Sequence, residues 1–306
     1  MRSVALYFLA CGVLFGQGAF AQTTGNRVIA FAQDTMKNDF RKAQVLAVHD
    51  AAAKHPELHF TYSNAQGKTS LLIRQIDQFI EQKVDVLVVG TNDEKAVVPI
   101  VSKAYKAGLS VIILERGIKG SDYSTFINSD NILIGTIGAT FIAGRLKNKG
   151  LVLLLEGLPT VDVTQLRSKG FLNEMAKHPG IQVIKRTGNY LRKDAIQEME
   201  KLLAQGIRID AIFAESDSML SGARLAMEVN HMDPRSIISV GCDYTSEARE
   251  AIRSGKQTGS VLFPLGGVQT VEMARKLLAK ESVPKHVVIP VKLVTRENVE
   301  TVSPIF

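Results

Sequence analysis

The chain has 306 residues, of which 45% are hydrophobic and 22% are charged, and its formal net charge is +7 at pH 7. This length and composition predict a globular protein with a large core, split over two lobes. The basic residues are scattered along the chain, which argues against nucleic-acid binding. With only 2 cysteines, a disulfide framework is excluded.

The first segment predicts an export signal. Arg2 precedes an apolar run over residues 4–15, and Ala19-Phe20-Ala21 follows it. A basic start, a short apolar core and small residues at the end are typical of a secretory signal peptide, and the run is short for a membrane span. We therefore expect a signal peptide over residues 1–21, cleaved after Ala21, and a periplasmic protein. An uncleaved anchor and a buried helix are the alternatives for this segment.

In the first half of the remaining chain, apolar runs rich in β-branched residues alternate with segments of helical periodicity. Near-continuous apolar strands between amphipathic helices indicate a parallel sheet covered on both faces. The pattern predicts strand 28–32, helix 43–53, strand 58–62, helix 70–82, strand 84–89, helix 96–107 and strand 111–114.

The same alternation restarts after Asp130. It predicts helix 132–146, strand 151–155, helix 164–177, strand 182–184, helix 195–205, strand 211–214, helix 219–229, strand 237–240 and helix 247–254. A last strand 259–262, helix 268–279 and strand-like run 287–291 would complete whichever sheet lacks them.

The predicted fold class is α/β, with two doubly wound parallel-sheet lobes joined by a hinge that the chain crosses several times. The N-terminal lobe would span residues 22–130 and be completed by about 263–289. The C-terminal lobe would span 131–262 and be completed by about 290–306.

Polar residues follow three of the predicted strands. Asp130 and Asp243 come just after two of them, and Glu115 with Arg116 follows a third. Ligands bind at the carboxyl ends of strands in open parallel sheets, so these residues predict a cleft. The sequence has no phosphate-binding glycine loop, nucleophile elbow or His-Glu-x-x-His motif, and its histidines lack metal-ligand spacing. We therefore expect neither an enzyme nor a cofactor.

Five motifs resemble those of type I periplasmic sugar-binding proteins, the ribose-binding protein group, and occur in the same order. They are Leu114-Glu115-Arg116, Asn128-Ser129-Asp130-Asn131, Arg167-Ser168-Lys169-Gly170-Phe171, Ala214-Glu215-Ser216-Asp217-Ser218-Met219 and Gly241-Cys242-Asp243. The resemblance covers about residues 26–298. It implies a monomeric protein that closes two lobes on a monosaccharide and delivers it to an inner-membrane ABC permease. The alternative is a sensor that presents its closed form to a histidine kinase or chemoreceptor.

The resemblance also implies site residues in the N-terminal lobe. In this group the loop after the first strand carries polar and aromatic ligand contacts, and here that loop contains Asp34, Asn38, Phe40 and Arg41. An aromatic residue followed by Arg is similar to the galactofuranose-binding subgroup. Glu115-Arg116 is similar to the group's Asp-Arg pair. Such residues suit a sugar, because carboxylates and guanidinium groups bind vicinal hydroxyls while aromatic rings stack on C–H faces.

In the C-terminal lobe the resemblance implies Tyr190 and Asp243 as ligand contacts, together with three positions that depart from the ribose-binding pattern. Gln165 stands where ribose binders carry Arg, Ser216 replaces an Asn and Phe263 replaces a Gln. These departures argue against ribose itself.

Two pairs of polar residues leave a structural role open. Arg167 and Asp217 could form an interlobe or helix-cap pair, and Asp130-Asn131 could be a helix N-cap at the hinge.

Overall fold

The computed structural model describes residues 27–306, so the expected signal peptide lies outside the described residues. Two six-stranded sheets organise this part of the chain. In the first, the strands lie in the order β11-β5-β4-β3-β1-β2, and every pair is parallel. Its strands are β1 (Arg27–Gln33), β2 (Leu58–Asn64), β3 (Val86–Gly90), β4 (Ser110–Leu114), β5 (Thr125–Asn128) and β11 (His286–Val288).

The second sheet has the order β12-β10-β9-β8-β6-β7. It is parallel except for its edge pair, where β12 runs antiparallel to β10. Its strands are β6 (Gly150–Glu156), β7 (Ile181–Thr187), β8 (Ala211–Ala214), β9 (Ile238–Asp243), β10 (Gly259–Leu262) and β12 (Lys292–Thr295). We call the two sheets with their helices the N-lobe and the C-lobe.

Helices cover both faces of each sheet, as parallel strands with buried faces require. In the N-lobe, α2 and α3 pack on one face and α1 and α9 on the other. In the C-lobe, α6 and α7 oppose α4 and α5. The helices are α1 (Asp39–Ala52), α2 (Thr69–Glu81), α3 (Val98–Lys106), α4 (Asn131–Arg145), α5 (Asp162–Met175), α6 (Arg192–Ala204), α7 (Asp217–Val229), α8 (Ser246–Arg253) and α9 (Gly267–Leu278).

The fold confirms two doubly wound lobes and a hinge with several crossings. The chain passes from one sheet to the other after β5, after β10 and again between β11 and β12. At the last crossing, the prediction of one strand over residues 287–291 is wrong. Two short strands in different sheets replace it, with Pro290 between them. Proline lacks an N–H group and cannot donate to a strand ladder, so the run breaks there.

Candidate ligand-binding site between the lobes

Side chains from both lobes converge on one buried cavity at the carboxyl ends of the strands. The cavity measures about 20 Å³, which is room for roughly one water molecule. A sugar ring is much larger, so the lobes must separate or these side chains must turn before a ring can enter. The lining residues are Asn38, Phe40, Arg41, Glu115, Arg116, Arg167, Tyr190, Ser216, Ser218, Asp243 and Phe263.

Nine of the eleven residues expected from the sequence line this cavity, and the two others do not. Asp34 lies behind the wall, where it contacts the guanidinium groups of Arg41 and Arg116. Gln165 is exposed and donates a hydrogen bond to the Pro159 carbonyl. Positions 165 and 167 are about 200° apart around a helix, so only one can face the cleft. On α5 that residue is Arg167.

Three of the lining residues adopt left-handed backbone conformations. The φ angles are 70° at Glu115, 60° at Tyr190 and 108° at Asp243. Such values are uncommon for residues other than glycine, and they cost energy that the surrounding structure must offset. Each residue stands at the end of a strand or in the loop after one, so the strained backbone turns its side chain toward the cleft.

The N-lobe wall is a cluster of buried charges around Arg41, whose side chain is fully buried. Its guanidinium lies 2.9 Å from Glu115 Oε2 and 3.5 Å from Asp34 Oδ1. Burial lowers the pKa of Arg41, and the neighbouring Arg116 lowers it further. Burial also pulls the pKa of Arg116 down, but Glu115 and Asp34 outweigh this and raise it. Arginine is not deprotonated in proteins, so both guanidinium groups are charged.

Several atoms of this cluster lack a well-oriented hydrogen bond. They are Asp34 Oδ1, Arg41 Nε, Glu115 Oε2 and Arg116 Nε. A buried polar atom without a partner is costly, and the cost is larger for charged groups. The arrangement can therefore gain energy from a ligand that offers several hydroxyl groups, each of which both donates and accepts.

An aromatic stack joins the two lobes at the cavity. The ring of Phe40 lies 5.1 Å from that of Phe263, with 17° between the ring planes. The guanidinium of Arg167 covers Phe263 at 4.5 Å from the ring centroid. Phe263 therefore contacts both Phe40 and Arg167 at the cavity.

Short hydrogen bonds hold two side chains of the C-lobe wall, Arg167 and Tyr190. Arg167 donates to Asn131 Oδ1 at 2.8 Å and to the Glu215 carbonyl at 2.7 Å. The Tyr190 hydroxyl lies 2.7 Å from Thr164 Oγ1, and its ring lies 5.7 Å from the Arg116 guanidinium. Burial raises the pKa of Tyr190, so the hydroxyl stays protonated. These side chains are fixed by the protein itself.

The strand-end acids have different roles. Asp243 lines the cavity, and burial raises its pKa well above the usual range. Asp130 is exposed and caps α4, where its Oδ1 accepts from Leu133 N–H, so its interpretation as an N-cap is confirmed. Asp217 is buried at the start of α7 and accepts from the Tyr244 N–H, Ser260 and Gln257. It therefore has a structural role.

Polar contacts cross from one lobe to the other at two places beside the cavity. The Ser218 hydroxyl donates to Asp39 Oδ2 at 2.8 Å, and Arg192 lies 3.5 Å from the same oxygen. At another point, Gly117 N–H donates to Asp162 Oδ2 at 2.8 Å. Burial raises the pKa of Asp162. These contacts hold the lobes together in the closed arrangement.

Sequence reasoning left two lining residues out of the expected site, Arg167 and Ser218. The sequence left the role of Arg167 open between a ligand contact and a structural residue, because the resemblance pointed to position 165. The helical period of α5 could have shown that only one of the two positions faces the cleft. Ser218 carried no signal of its own, because its contact with Asp39 depends on how the lobes close.

Comparison with known proteins agrees with this geometry. Residues 29–282 match the model of a periplasmic binding protein domain. The ribose import binding protein of Bacillus subtilis is 28% identical over 301 residues, which cover 96% of this chain and 97% of that protein. Between Arg27 and Phe306, no helix combines the length and apolarity needed to cross a bilayer.

Two solved structures share the architecture. An ABC transporter solute-binding protein from Bacillus halodurans with bound myo-inositol is 29% identical and superimposes with a TM-score of 0.85, covering 91% of this chain and 98% of that one. The fructose-binding periplasmic domain of a hybrid two-component system is 26% identical, with a TM-score of 0.83 and coverage of 90% and 92%. The family match spans most of the chain, and the protein belongs to the periplasmic binding proteins.

Proposed function

We propose that this protein binds a neutral monosaccharide between its lobes and delivers it to an ABC permease of the inner membrane, acting as a monomer without catalysis. The observation that carries the proposal is the meeting of both lobes at one cavity, where an aromatic ring lies beside charged groups with unfilled hydrogen-bonding capacity. Rings and vicinal hydroxyls need this combination. Ligand binding to the closed form would shift the population toward closure.

The charges of the cleft favour an uncharged ligand. In the N-lobe wall, the guanidinium groups of Arg41 and Arg116 face the carboxyl groups of Asp34 and Glu115. A phosphate or a sugar acid needs a surplus of cations, since a buried charge must be paired. These two cations already have carboxyl partners, so hydroxyl groups suit this wall better than an anion does.

Arg41 supports a five-membered ring among the neutral sugars. Its guanidinium is held by Glu115, Gln44 and the Thr91 carbonyl, at 2.9, 3.2 and 3.1 Å. A fixed planar fork recognises a fixed spacing of two oxygens. The resemblance of the Phe40-Arg41 pair to the galactofuranose-binding subgroup points the same way.

The curated relative in Bacillus subtilis is a ribose import protein, which supports transport as the output. A sensory output is the second candidate, favoured by the structural neighbour that is a domain of a hybrid two-component system. Neighbouring genes distinguish the two outputs. Permease and ATPase genes would support transport, whereas a kinase gene alone would overturn it.

The test is a thermal-shift screen of the mature protein, starting at Gln22, against pentoses, hexoses, their furanose forms, polyols and sugar acids. A ligand at 100 times its dissociation constant stabilises the protein by about 2.7 kcal/mol. We expect neutral sugars to stabilise and sugar acids to have no effect, with calorimetry giving the affinity of the best ligand. A screen in which sugar acids alone stabilise would contradict the proposal. N-terminal sequencing of periplasmic material tests the cleavage after Ala21.

A further inference from the structure

Two carboxyl groups meet at one hydroxyl group behind the C-lobe wall. Ser168 Oγ lies 2.7 Å from Glu156 Oε1 and 2.9 Å from Glu215 Oε1. A hydroxyl has one hydrogen and can donate to only one of these oxygens. The second short contact is a hydrogen bond only if the other carboxyl group carries a proton and donates it to Ser168.

The surroundings decide which carboxyl group holds the proton. Lys185 Nζ lies 3.3 Å from Glu156 Oε1, so Glu156 has a cationic partner that Glu215 lacks at this hydroxyl. Glu215 is fully buried, and burial raises its pKa to about 7 although the Gly157 N–H, Arg167 and Ser168 oppose the shift. Other titratable or charged groups face this region from the neighbouring elements. They are Glu156 on β6, Arg167 on α5, Lys185 on β7, Tyr190 before α6, Asp217 on α7, and Cys242 and Asp243 on β9.

Glu215 also supports three parts of the candidate site. Its carbonyl accepts the hydrogen bond from Arg167, and its Oε2 lies 3.4 Å from the Tyr190 hydroxyl. The same Oε2 accepts from Gly157 N–H at 2.9 Å. The next residue along the chain is Ser216, which lines the cavity. A shift of Glu215 would therefore reach every one of these groups.

We propose that Glu215 carries a proton which it donates to Ser168, and that this proton keeps the C-lobe half of the sugar site in its binding geometry. The proposal rests on the proposed function. When the proton leaves for solvent, two carboxylates face one hydroxyl. The hydroxyl can donate to only one of them, so the other short oxygen–oxygen contact has no hydrogen and is repulsive. The resulting repulsion moves Ser168 and Glu215 apart, and Arg167 and Tyr190 move with them. Glu215 is thus a positioning residue that links sugar affinity to pH.

The first test compares the parent protein with Glu215→Gln, using the best sugar of the screen. A glutamine amide can donate to Ser168 and accept from Gly157 N–H, so it reproduces the protonated form at every pH. Between about pH 6 and about pH 8.5 the parent should lose affinity, by at most about tenfold per pH unit because one proton is linked. Glu215→Gln should keep its affinity over that range. The matched control is Glu198→Gln, which removes a carboxylate of the C-lobe that pairs with Lys201, and it should follow the parent.

A second measurement works without any sugar. Carboxyl carbon NMR of the unliganded parent, with the Glu215 signal identified by its loss in Glu215→Gln, should give a midpoint near pH 7. The Tyr190 ring signals, identified with Tyr190→Phe, should shift with the same midpoint. A Glu215 midpoint below about pH 5, near the ordinary value for glutamate, would overturn the inference whether or not a sugar is found. Equal pH slopes in the parent and Glu215→Gln would also overturn it, while leaving the proposed function intact.

Discussion

The two halves of the candidate site are built differently. In the N-lobe half, Arg41 and Arg116 face Asp34 and Glu115 at distances from 2.9 to 3.7 Å, and four of the buried atoms lack well-oriented hydrogen bonds. In the C-lobe half, Arg167 and Tyr190 have short hydrogen bonds to protein groups. The N-lobe half has unused bonding capacity, and the C-lobe half is already organised.

This difference assigns different tasks to the halves. A ligand gains most where it replaces poor contacts with good ones, so the N-lobe half should supply most of the hydrogen-bond energy of binding. A rigid wall loses little conformational entropy when a ligand arrives, so the C-lobe half should supply shape. Substitutions in the first half should therefore change affinity, and substitutions in the second should change stability as well.

The largest effect is expected for Arg116→Ala. Truncating one partner of a buried charge pair typically costs about 2–5 kcal/mol, or roughly thirty- to several-thousand-fold in affinity. The protein should stay folded, because Arg41 still faces both carboxylates. Calorimetry with the best sugar and a thermal melt check this. The control Arg275→Ala removes a half-exposed N-lobe arginine, and it should bind like the parent.

The companion variant Arg167→Ala sharpens the contrast. It removes a guanidinium that bonds to Asn131 and the Glu215 carbonyl, so it should lower the melting temperature as well as the affinity. Equal melting temperatures for the two arginine variants would contradict the assignment of different tasks to the two halves.

The C-lobe carboxyl groups predict a pH dependence of stability. Burial raises the pKa of Glu215 to about 7 and that of Asp217 to about 6. A carboxyl group with a raised pKa binds more protons when folded, so its contribution is complete below the unfolded pKa and is lost as the pH rises through the folded value. The free energy of unfolding should fall between about pH 4 and about pH 7.5, by up to roughly 3 kcal/mol for Glu215 alone.

Urea unfolding at several pH values measures this trend. Glu215→Gln should flatten the curve above about pH 6, since Glu215 has the higher pKa of these two carboxyl groups. A free energy of unfolding that rises through neutral pH would show that the ion pairs of the N-lobe half, and not the buried carboxyl groups of the C-lobe half, dominate the titration.

Gly157→Ala tests how rigid the C-lobe wall is. A Cβ atom at this position would lie 2.0 Å from the Tyr190 ring, so the buried ring must move. Overpacking of this kind costs about 1–3 kcal/mol of stability, and the displaced ring should weaken sugar binding too. Gly144→Ala is the matched control, because a Cβ there meets nothing within 4 Å and helix α4 should gain about 0.5–1 kcal/mol. Thermal melts of both variants decide the point.

Much of this site was predictable from the sequence. Strand-end placement identified Glu115, Arg116 and Asp243 because the ends of parallel strands share one edge, and the family resemblance added Phe40, Arg41 and Tyr190. The periodicity also located nine of the described strands. It gave no bounds for β5 (Thr125–Asn128), and near the end of the chain Pro290 divides one predicted apolar run between two sheets.

The remaining features depend on three-dimensional arrangement. Which of positions 165 and 167 faces the cleft depends on the rotation of α5. The Glu156-Ser168-Glu215 contact joins the consecutive elements β6 and α5 to a residue that lies 47 positions beyond Ser168 in the chain. A local pattern carries no information on such contacts.

Phe40→Leu and Arg41→Lys separate stacking from hydrogen bonding within the N-lobe half. Losing the aromatic ring should cost about 0.5–1.5 kcal/mol beyond the lost area, and nearly equally for epimeric sugars. Arg41→Lys keeps the charge but loses the planar fork, so it should affect epimers unequally. Dissociation constants for the best ligand and its epimers measure this. Uniform, near-parental values for Arg41→Lys would mean that Arg41 only organises Glu115 and Thr91.

The smallest effect is expected at the mouth of the cleft, where Asp39 of the N-lobe meets Ser218 and Arg192 of the C-lobe. The Asp39 side chain is half-exposed, and exposed pairs contribute about 0.2–1 kcal/mol. Asp39→Asn should therefore weaken sugar binding by up to roughly fivefold at low salt, because the closed form loses a contact that the open form never had. The difference should shrink as salt is raised, since exposed charges are screened. Asp50→Asn, an exposed acid of the same helix without an interlobe contact, should bind like the parent at every salt concentration. An Asp39→Asn effect that persists at high salt would instead place this residue with the buried recognition groups of the N-lobe half.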